Sequence, residues 1–96
     1  MEGLTISRSE QGDRGEYRAR LPGSPYEAKL EWIAQDGARA AYHTFTPAPL
    51  RGQGIAALLV EAMVADARAQ GFKILPHCPY VADKFAEHPE WADVRA

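Results

Sequence analysis

The sequence predicts a small mixed α/β (α+β) fold, in which an antiparallel meander is followed by a parallel strand–helix–strand crossover and a short C-terminal helix. Three observations predict it. Apolar and polar residues alternate through the first half of the chain, as in half-buried strands. From Gly54 to Gln70 the apolar residues recur at helical spacing. The apolar segment Phe72 to Leu75 follows, and two strands that flank one helix pair in parallel with a right-handed connection.

The first two strands are predicted from short alternating stretches. Leu4 and Ile6 alternate with polar residues. The segment from Tyr17 to Leu21 repeats the pattern and ends at the turn sequence Pro22-Gly23-Ser24-Pro25. The segment from Glu10 to Arg14 lies between them, and because it is polar throughout we expect a loop there.

The next two strands are predicted to form a tight hairpin. Residues 27 to 32 alternate between charged and apolar side chains, and Asp36-Gly37 follows them. This dipeptide favours a turn in which both central residues take positive φ. We therefore expect the return strand to run from Ala38 to about Thr46.

The second half of the chain is predicted to contain two helices. Gly71 follows the long helix at the position of a left-handed C-terminal cap. The short strand after it is expected to end at Pro76. Pro79 suits the first turn of a second helix, which should run to Glu87 and stop before His88-Pro89.

Composition and charge exclude several classes of protein. With 96 residues, of which 46% are hydrophobic and 25% charged, the chain is expected to form one folded domain over residues 1–96. A net charge of −2 argues against a general nucleic-acid binder. The longest apolar run, Ile55 to Val60, is too short to cross a membrane. No secretory leader is visible, which predicts a cytoplasmic protein, and the single cysteine, Cys78, excludes an internal disulfide.

The segment that joins the return strand to the long helix carries the strongest functional signal. A helix start leaves about four backbone N–H groups without partners, and Ser, Thr, Asp or Asn usually caps them. Here no such residue is present, the first downstream acid is Glu61, and Arg51 lies at the positive end of the helix dipole. A bound anion would make this arrangement favourable, and Gly52 and Gly54 would let it approach the backbone. The alternative is a plain glycine turn into a helix.

Four sequence blocks resemble one known family. Arg51-x-x-Gly54-x-Ala56 matches the [Gln/Arg]-x-x-Gly-x-[Gly/Ala] pyrophosphate loop of the GNAT-superfamily N-acetyltransferases. The chain is similar to their minimal, YjdJ-type branch in three further blocks: His43-Thr44 followed by Pro47, Cys78-Pro79-Tyr80, and His88-Pro89-Glu90-Trp91. The resemblance covers about Leu30 to Val94.

The resemblance implies a small GNAT-like fold that binds acetyl-CoA as cosubstrate where Ala38–Thr46 and Phe72–Leu75 splay apart. It implies acetyl transfer to a primary amine, with a protein lysine or N-terminus as candidate acceptors. Loop amides would hold the pyrophosphate, and the backbone of Phe45 and Thr46 would pair with the pantetheine arm. The implied cofactor-binding residues are Phe45, Thr46, Arg51, Gly52, Gln53, Gly54, Ile55, Ala56 and Ala57. No metal, nucleic-acid or membrane partner is expected, and the chain is expected to be a monomer or a weak homodimer.

The candidate catalytic residues are Cys78 and Tyr80, either of which could donate a proton to the departing thiolate. Cys78 could equally act as a base or a transient acetyl carrier, or it could be a small buried hydrophobe. Tyr80 could instead pack under the second helix. His43 is a candidate base, although a structural hydrogen bond is its commoner role.

One departure from the family leaves a second function open. Many relatives carry an acid at the position of Phe45, so the general base stays unassigned. A non-catalytic coenzyme A or acyl-CoA-binding or sensing module is therefore the alternative to an enzyme. A small interaction domain without a ligand is a third reading.

Overall fold

The strands of the meander and the crossover join into one mixed sheet. The computed structural model describes residues 2–96. Its strands are β1 (Thr5–Gln11), β2 (Arg14–Arg20), β3 (Glu27–Gln35), β4 (Ala38–Phe45) and β5 (Ile74–Pro76), and its helices are α1 (Ile55–Gln70) and α2 (Pro79–Glu87). Two 3₁₀ helices span Ala48–Leu50 and Pro89–Val94. The strand order is β1-β2-β3-β4-β5, antiparallel up to β4 and parallel between β4 and β5, which confirms the predicted fold class.

The core lies between the sheet and the helices. Alternate residues of β2 and β3 are buried, and they pack with one face of α1 and with the two C-terminal helices. The largest fully buried side chains are Leu30, Ile55, Leu59, Met63, Ile74, Val60 and Val81. Each such side chain contributes about 1.5–3 kcal/mol of hydrophobic free energy on burial. Among the described residues, no helix is long and apolar enough to cross a membrane.

The charged positions of β2 and β3 alternate with the buried ones and therefore point to the opposite side of the sheet. Arg18 forms ion pairs with Glu16 and, at 3.1 Å, with Glu27. Lys29 lies 3.4 Å from Glu31. This face of the sheet is therefore stabilised by ion pairs between neighbouring side chains.

Two predicted turns are confirmed by the backbone. Asp36 and Gly37 have φ of 53° and 76°, as a two-residue hairpin turn requires. Gly71 caps α1 with φ 82°, and its N–H donates to the carbonyl of Ala67 at 2.8 Å. Both turns were predicted because only a few residue types adopt positive φ at low cost.

The predicted loop at Glu10 to Arg14 is wrong in most of its length. Glu10 and Gln11 belong to β1 and Arg14 to β2, and Gln11 faces Arg14 across a short turn. The residues that follow Ile6 in β1 are exposed, so hydrophobic alternation gives no signal there. Backbone pairing, which does not depend on side-chain polarity, continues the strands to the turn.

Three predicted elements also shift at one or both ends by one or two residues. β4 ends at Phe45 instead of Thr46, and β5 covers Ile74–Pro76 instead of Phe72–Leu75, with Pro76 aligned with Ala41. The long helix begins at Ile55, because Gly54 has φ 77° and lies outside the helical region as its N-cap.

Gly15 offers a test of the sheet packing. A Cβ built there would overlap the Trp32 ring and lie 2.8 Å from the carbonyl oxygen of Ser9. Because Trp32 is buried and cannot move without opening the core, we expect Gly15→Ala to lower the free energy of unfolding by about 1–3 kcal/mol. Urea denaturation measures this change. Ala34→Gly, at an exposed position of β3, is the control for exchanging glycine and alanine in a strand. Small and equal changes in the free energy of unfolding of the two variants would contradict the packing argument.

Candidate functional site

Strands β4 and β5 separate after three paired residues. Their parallel ladder aligns Arg39 with Ile74, Ala40 with Leu75 and Ala41 with Pro76. One further bond, from the N–H of Cys78 to the carbonyl of Ala41 at 2.8 Å, closes this pairing. β4 continues for four more residues, whereas the chain after Pro76 turns away into α2. A gap therefore opens beside the end of β4.

A β-bulge lies at the point where the gap begins. Glu31 pairs with His43 and Trp32 pairs with Ala41, so Tyr42 is an extra residue on β4. A bulge bends its strand and increases the local twist. This bend explains why β4 leaves β5 at Ala41.

The loop after β4 is shaped by two glycines in the left-handed region. Gly52 has φ 80° and Gly54 has φ 77°. Apart from the chain neighbours of each glycine, a Cβ at either position would meet no atom of residues 2–96 within 4 Å. The backbone of this loop is therefore open to an approaching group. Leu50, which is buried, anchors the loop to the core.

The N-terminus of α1 adjoins this loop and has no cap from the part of the chain that the structure describes. No side chain bonds to its first N–H groups, and its first turn has no acid. The first bond of the helix runs from the N–H of Leu58 to the carbonyl of Gly54, at 3.3 Å. The N–H groups of Ile55, Ala56 and Ala57 precede it and lie at the positive end of the helix dipole. This end of α1 is suited to hold an anion.

Arg51 ties the loop to the end of β4. Its Nε donates a hydrogen bond to the carbonyl oxygen of Thr46 at 3.0 Å. The side chain is exposed and carries its positive charge on the loop that leads to α1. Helix dipole and guanidinium thus both favour a negatively charged ligand here.

A cavity of about 190 Å³ lies over the loop and the start of α1. Six of the nine residues predicted to bind the cofactor line it, together with Leu50 and Tyr80. These six are Thr46, Arg51, Gly52, Gly54, Ile55 and Ala56. The other three do not line the cavity: Phe45 is exposed at the end of β4, Gln53 bonds to the carbonyl of Pro49 at 3.5 Å, and Ala57 is half-buried in α1.

Cys78 is the N-cap residue of α2, and its side chain reaches across the gap to β4. It is 8% exposed, and its Sγ lies 3.5 Å from Oγ1 of Thr44. Burial raises the pKa of the Cys78 thiol, but the hydrogen bond to Thr44 and the backbone N–H groups of Val81 and Tyr80 outweigh it and lower the pKa below its usual value. A lowered thiol pKa is typical of reactive cysteines at helix N-termini.

The pKa of Tyr80 is shifted in the opposite direction, above its usual value. Burial raises its pKa, although Lys84, whose Nζ lies 5.6 Å from the ring centroid, acts in the other direction. Tyr80 lines the cavity over the loop, whereas Cys78 contacts Thr44 in the gap. The two candidate proton donors therefore occupy different parts of the site.

His43 and Thr44 lie on opposite faces of β4. Thr44 pairs with the buried Leu30, and His43 pairs with Glu31. His43 is exposed, and its Nε2 lies 4.0 Å from a carboxylate oxygen of Glu31. Neither Thr44 nor Glu31 was predicted from sequence as a functional residue. Their relation to the site depends on strand register, which alternation alone does not give.

The remaining histidines do not gather into a metal site. His77 is exposed beside Cys78, and the ring of His88 stacks on Trp91 at a centroid distance of 4.0 Å. Within residues 2–96, no group of three or more His, Cys, Asp or Glu side chains could hold a metal ion.

The chain matches the model of a known protein family. A family model described as GCN5-related N-acetyl-transferase matches residues 16–94. The match covers β2 from Glu16 onward, the strands β3 to β5, both α-helices and the loop between β4 and α1.

Proposed function

Because the chain belongs to the GCN5-related N-acetyltransferase family, we propose that it transfers the acetyl group of acetyl-CoA to a primary amine. The observation that carries the proposal is the uncapped start of α1 next to a loop with two left-handed glycines and Arg51. The loop follows the strand that separates from β5. A nucleotide cosubstrate whose phosphates bind at this loop could therefore extend its reactive end into the gap. The minimal branch of the family stays a prediction.

We expect the pyrophosphate of acetyl-CoA to bind at the start of α1. The N–H groups from Gln53 to Ala57 would donate to its oxygens, and Arg51 would supply a charge-assisted hydrogen bond. The open space over Gly52 and Gly54 supports this placement, since any side chain there would occupy the volume that the phosphates need.

The pantetheine arm would lie along the end of β4. The parallel ladder with β5 stops at Ala41, so the backbone of Phe45 and Thr46 faces the gap. An extended ligand can pair with such an edge as an added strand. This arrangement would bring the thioester towards Thr44 and Cys78.

The proposed reaction is direct attack of the amine nitrogen on the thioester carbonyl carbon. A C–N bond forms, the C–S bond breaks, and the sulfur of coenzyme A leaves as a thiolate. Cys78 is the proton donor that we assign to this thiolate, because its lowered pKa makes it a stronger acid than an ordinary thiol. A backbone N–H at the end of β4, near Phe45, would stabilise the oxyanion.

The acceptor would approach from the side of His43. His43 lies on the face of β4 opposite to Thr44, so the base and the proton donor would act on the reacting centre from different sides of the sheet. A lysine-like amine has a pKa of about 10.4 and must lose a proton before it attacks. His43, beside Glu31, is the base that we propose for this step.

Acetyl-CoA binding and turnover test this proposal together. We expect acetyl-CoA to raise the melting temperature of the protein, and a panel of amines and peptides to release free coenzyme A thiol. Stabilisation without thiol release would favour a coenzyme A-binding or sensing module, which the apolar Phe45 in place of an acid supports. Absence of stabilisation would contradict both functions and leave an interaction domain.

A substitution at Gly54 tests the loop separately. We expect Gly54→Val to abolish the stabilisation by acetyl-CoA, because the new side chain would occupy the space over the loop. It should also lower the free energy of unfolding by at least about 1 kcal/mol, because valine is strained at positive φ. Isothermal titration calorimetry and urea denaturation measure the two effects.

Gly23→Val is the matched control. Gly23 has φ 76°, against 77° for Gly54, and a Cβ there also meets no atom within 4 Å. It lies in the turn between β2 and β3, so this variant should lose similar stability and keep its affinity for acetyl-CoA. Equal affinities in the two variants would rule out a role for the loop in binding.

A further inference from the structure

We propose that the hydroxyl group of Thr44 is a positioning group that orients Cys78 and stabilises its thiolate during acetyl transfer. This inference rests on the proposed function, since it assigns a role within the same site. Thr44 contacts Cys78, the proposed proton donor, but has no role in the reaction steps proposed above.

The contact crosses the gap between β4 and the start of α2. Thr44 lies three residues beyond Ala41, the last residue of β4 that is aligned with β5. Cys78 follows β5 by two residues. Their side chains meet at 3.5 Å, where the backbone ladder has ended. The hydroxyl therefore restrains the Cys78 side chain on the side of β4.

The environment of the pair makes this hydrogen bond stronger than one in water. Thr44 is half-buried on the same face as Leu30, which is fully buried, and Cys78 is 8% exposed. A hydrogen bond to an ionised partner contributes more than one between neutral groups, and the partial exclusion of water increases the difference. The hydroxyl can donate to a thiolate, whereas a thiol can only share a weak bond with it.

The electrostatics of the thiol agree with this role. Burial opposes ionisation of Cys78, and the Thr44 hydroxyl is the strongest of the groups that lower its pKa, ahead of the N–H groups of Val81 and Tyr80. The other groups that lower the pKa of the thiol belong to the backbone. Thr44 is therefore the one side chain that hydrogen-bonds to the thiol within the described chain.

In the proposed reaction, this hydrogen bond acts when the proton leaves Cys78. The S–H bond of Cys78 breaks as the departing coenzyme A thiolate takes its proton, and the negative charge moves to Sγ of Cys78. The Thr44 hydroxyl then donates to that charge. The acceptor nitrogen loses two protons, one through His43 before the attack and one as the amide forms, and both pass to solvent. Cys78 regains one proton from solvent and the other is released, so the cycle consumes no other reactant.

The ultraviolet absorbance of the thiolate measures the effect directly. The chain has one cysteine, so the difference between each protein and the same protein with Cys78→Ala reports Cys78 alone. We expect Thr44→Val to raise the midpoint of the thiol titration by about one pH unit, which corresponds to about a tenfold smaller thiolate fraction below the midpoint. Thr44→Ser, which keeps the hydroxyl, should return the midpoint towards that of the wild type.

A control variant and a fallback pair of variants complete the test. Thr5→Val, at an exposed position of β1, is the control for a threonine-to-valine exchange and should leave the midpoint where it is. The titratable neighbours in the chain, His77 and Tyr80 beside Cys78 and His43 beside Thr44, remain in every Thr44 variant. If Thr44→Val does not fold, Thr44→Ala and Thr44→Ser provide the same comparison.

The outcomes separate this inference from the proposed function. An unchanged midpoint in folded Thr44→Val or Thr44→Ala would overturn the role of Thr44, whatever the enzyme does. A raised midpoint, together with a lower kcat at an unchanged dissociation constant for acetyl-CoA, would support it. If the wild type neither binds acetyl-CoA nor releases thiol, the proposed function fails, and the catalytic role of Thr44 falls with it even if the midpoint moves.

Discussion

Cys78→Ala should lower kcat by about 100-fold or more, within the range that a positioned acid contributes. The dissociation constant of acetyl-CoA should change little, because Cys78 does not line the cavity over the loop. Thiol release under saturating acetyl-CoA measures kcat, and calorimetry measures the affinity. A thiol that only packs in the core would give the opposite result, with lower stability and an unchanged kcat.

The pH dependence of the rate distinguishes an acid from the other chemical roles of Cys78. The active form pairs a neutral amine with a protonated thiol, and the surroundings of Cys78 lower its pKa. The rate should therefore rise with pH up to the pKa of Cys78 and then level off. Above that pKa, the fraction of neutral amine still increases, but the fraction of protonated thiol decreases by the same factor. In Cys78→Ala the residual rate should keep rising through this range. An acetylated Cys78, found by mass spectrometry after mixing with acetyl-CoA alone, would instead indicate an acetyl carrier.

Arg51→Glu should weaken the binding of acetyl-CoA by roughly tenfold to a hundredfold, since it removes a charge-assisted hydrogen bond of about 1.5–3 kcal/mol. The introduced carboxylate would also repel the pyrophosphate at the start of α1. Calorimetric titration at two salt concentrations measures the loss, and its electrostatic part should shrink as salt increases.

Arg14→Glu is the control for the same change in net charge. Arg14 is exposed at the start of β2, where its one ion pair, with Asp13, is 3.9 Å long. This variant should bind acetyl-CoA as the wild type does. Equal losses of affinity in the two variants would show that overall charge, not the loop, governs binding.

The loop could be predicted from sequence because its signal is local. The missing cap, the two glycines and Arg51 are adjacent along the chain, and each has a direct consequence for backbone hydrogen bonds and charge. The structure gives both glycines positive φ and leaves α1 uncapped among the described residues, in agreement with that reading. The hairpin at Asp36-Gly37 was predictable for the same reason.

The rest of the site depends on register and could not be predicted. Thr44 and Cys78 are 34 residues apart, and they meet because β5 ends where the bulge at Tyr42 bends β4. The bulge also sets the face on which His43 lies, since one extra residue reverses the alternation. No local pattern in the sequence marks this insertion.

The ion pairs that cover one face of the sheet have a consequence for how the protein tolerates change. Glu27 lies between Arg18 and Arg20, at 3.1 and 3.2 Å, so one carboxylate is shared by two arginines, and Arg18 has a second partner in Glu16. Stability at this surface should therefore follow the sum of charge over the adjoining strands more than the identity of any single residue. We expect compensated exchanges around Glu27, such as a swapped acid and base, to leave the buried layer undisturbed, so this part of the outer surface can be rebuilt at some distance from the loop and the thiol.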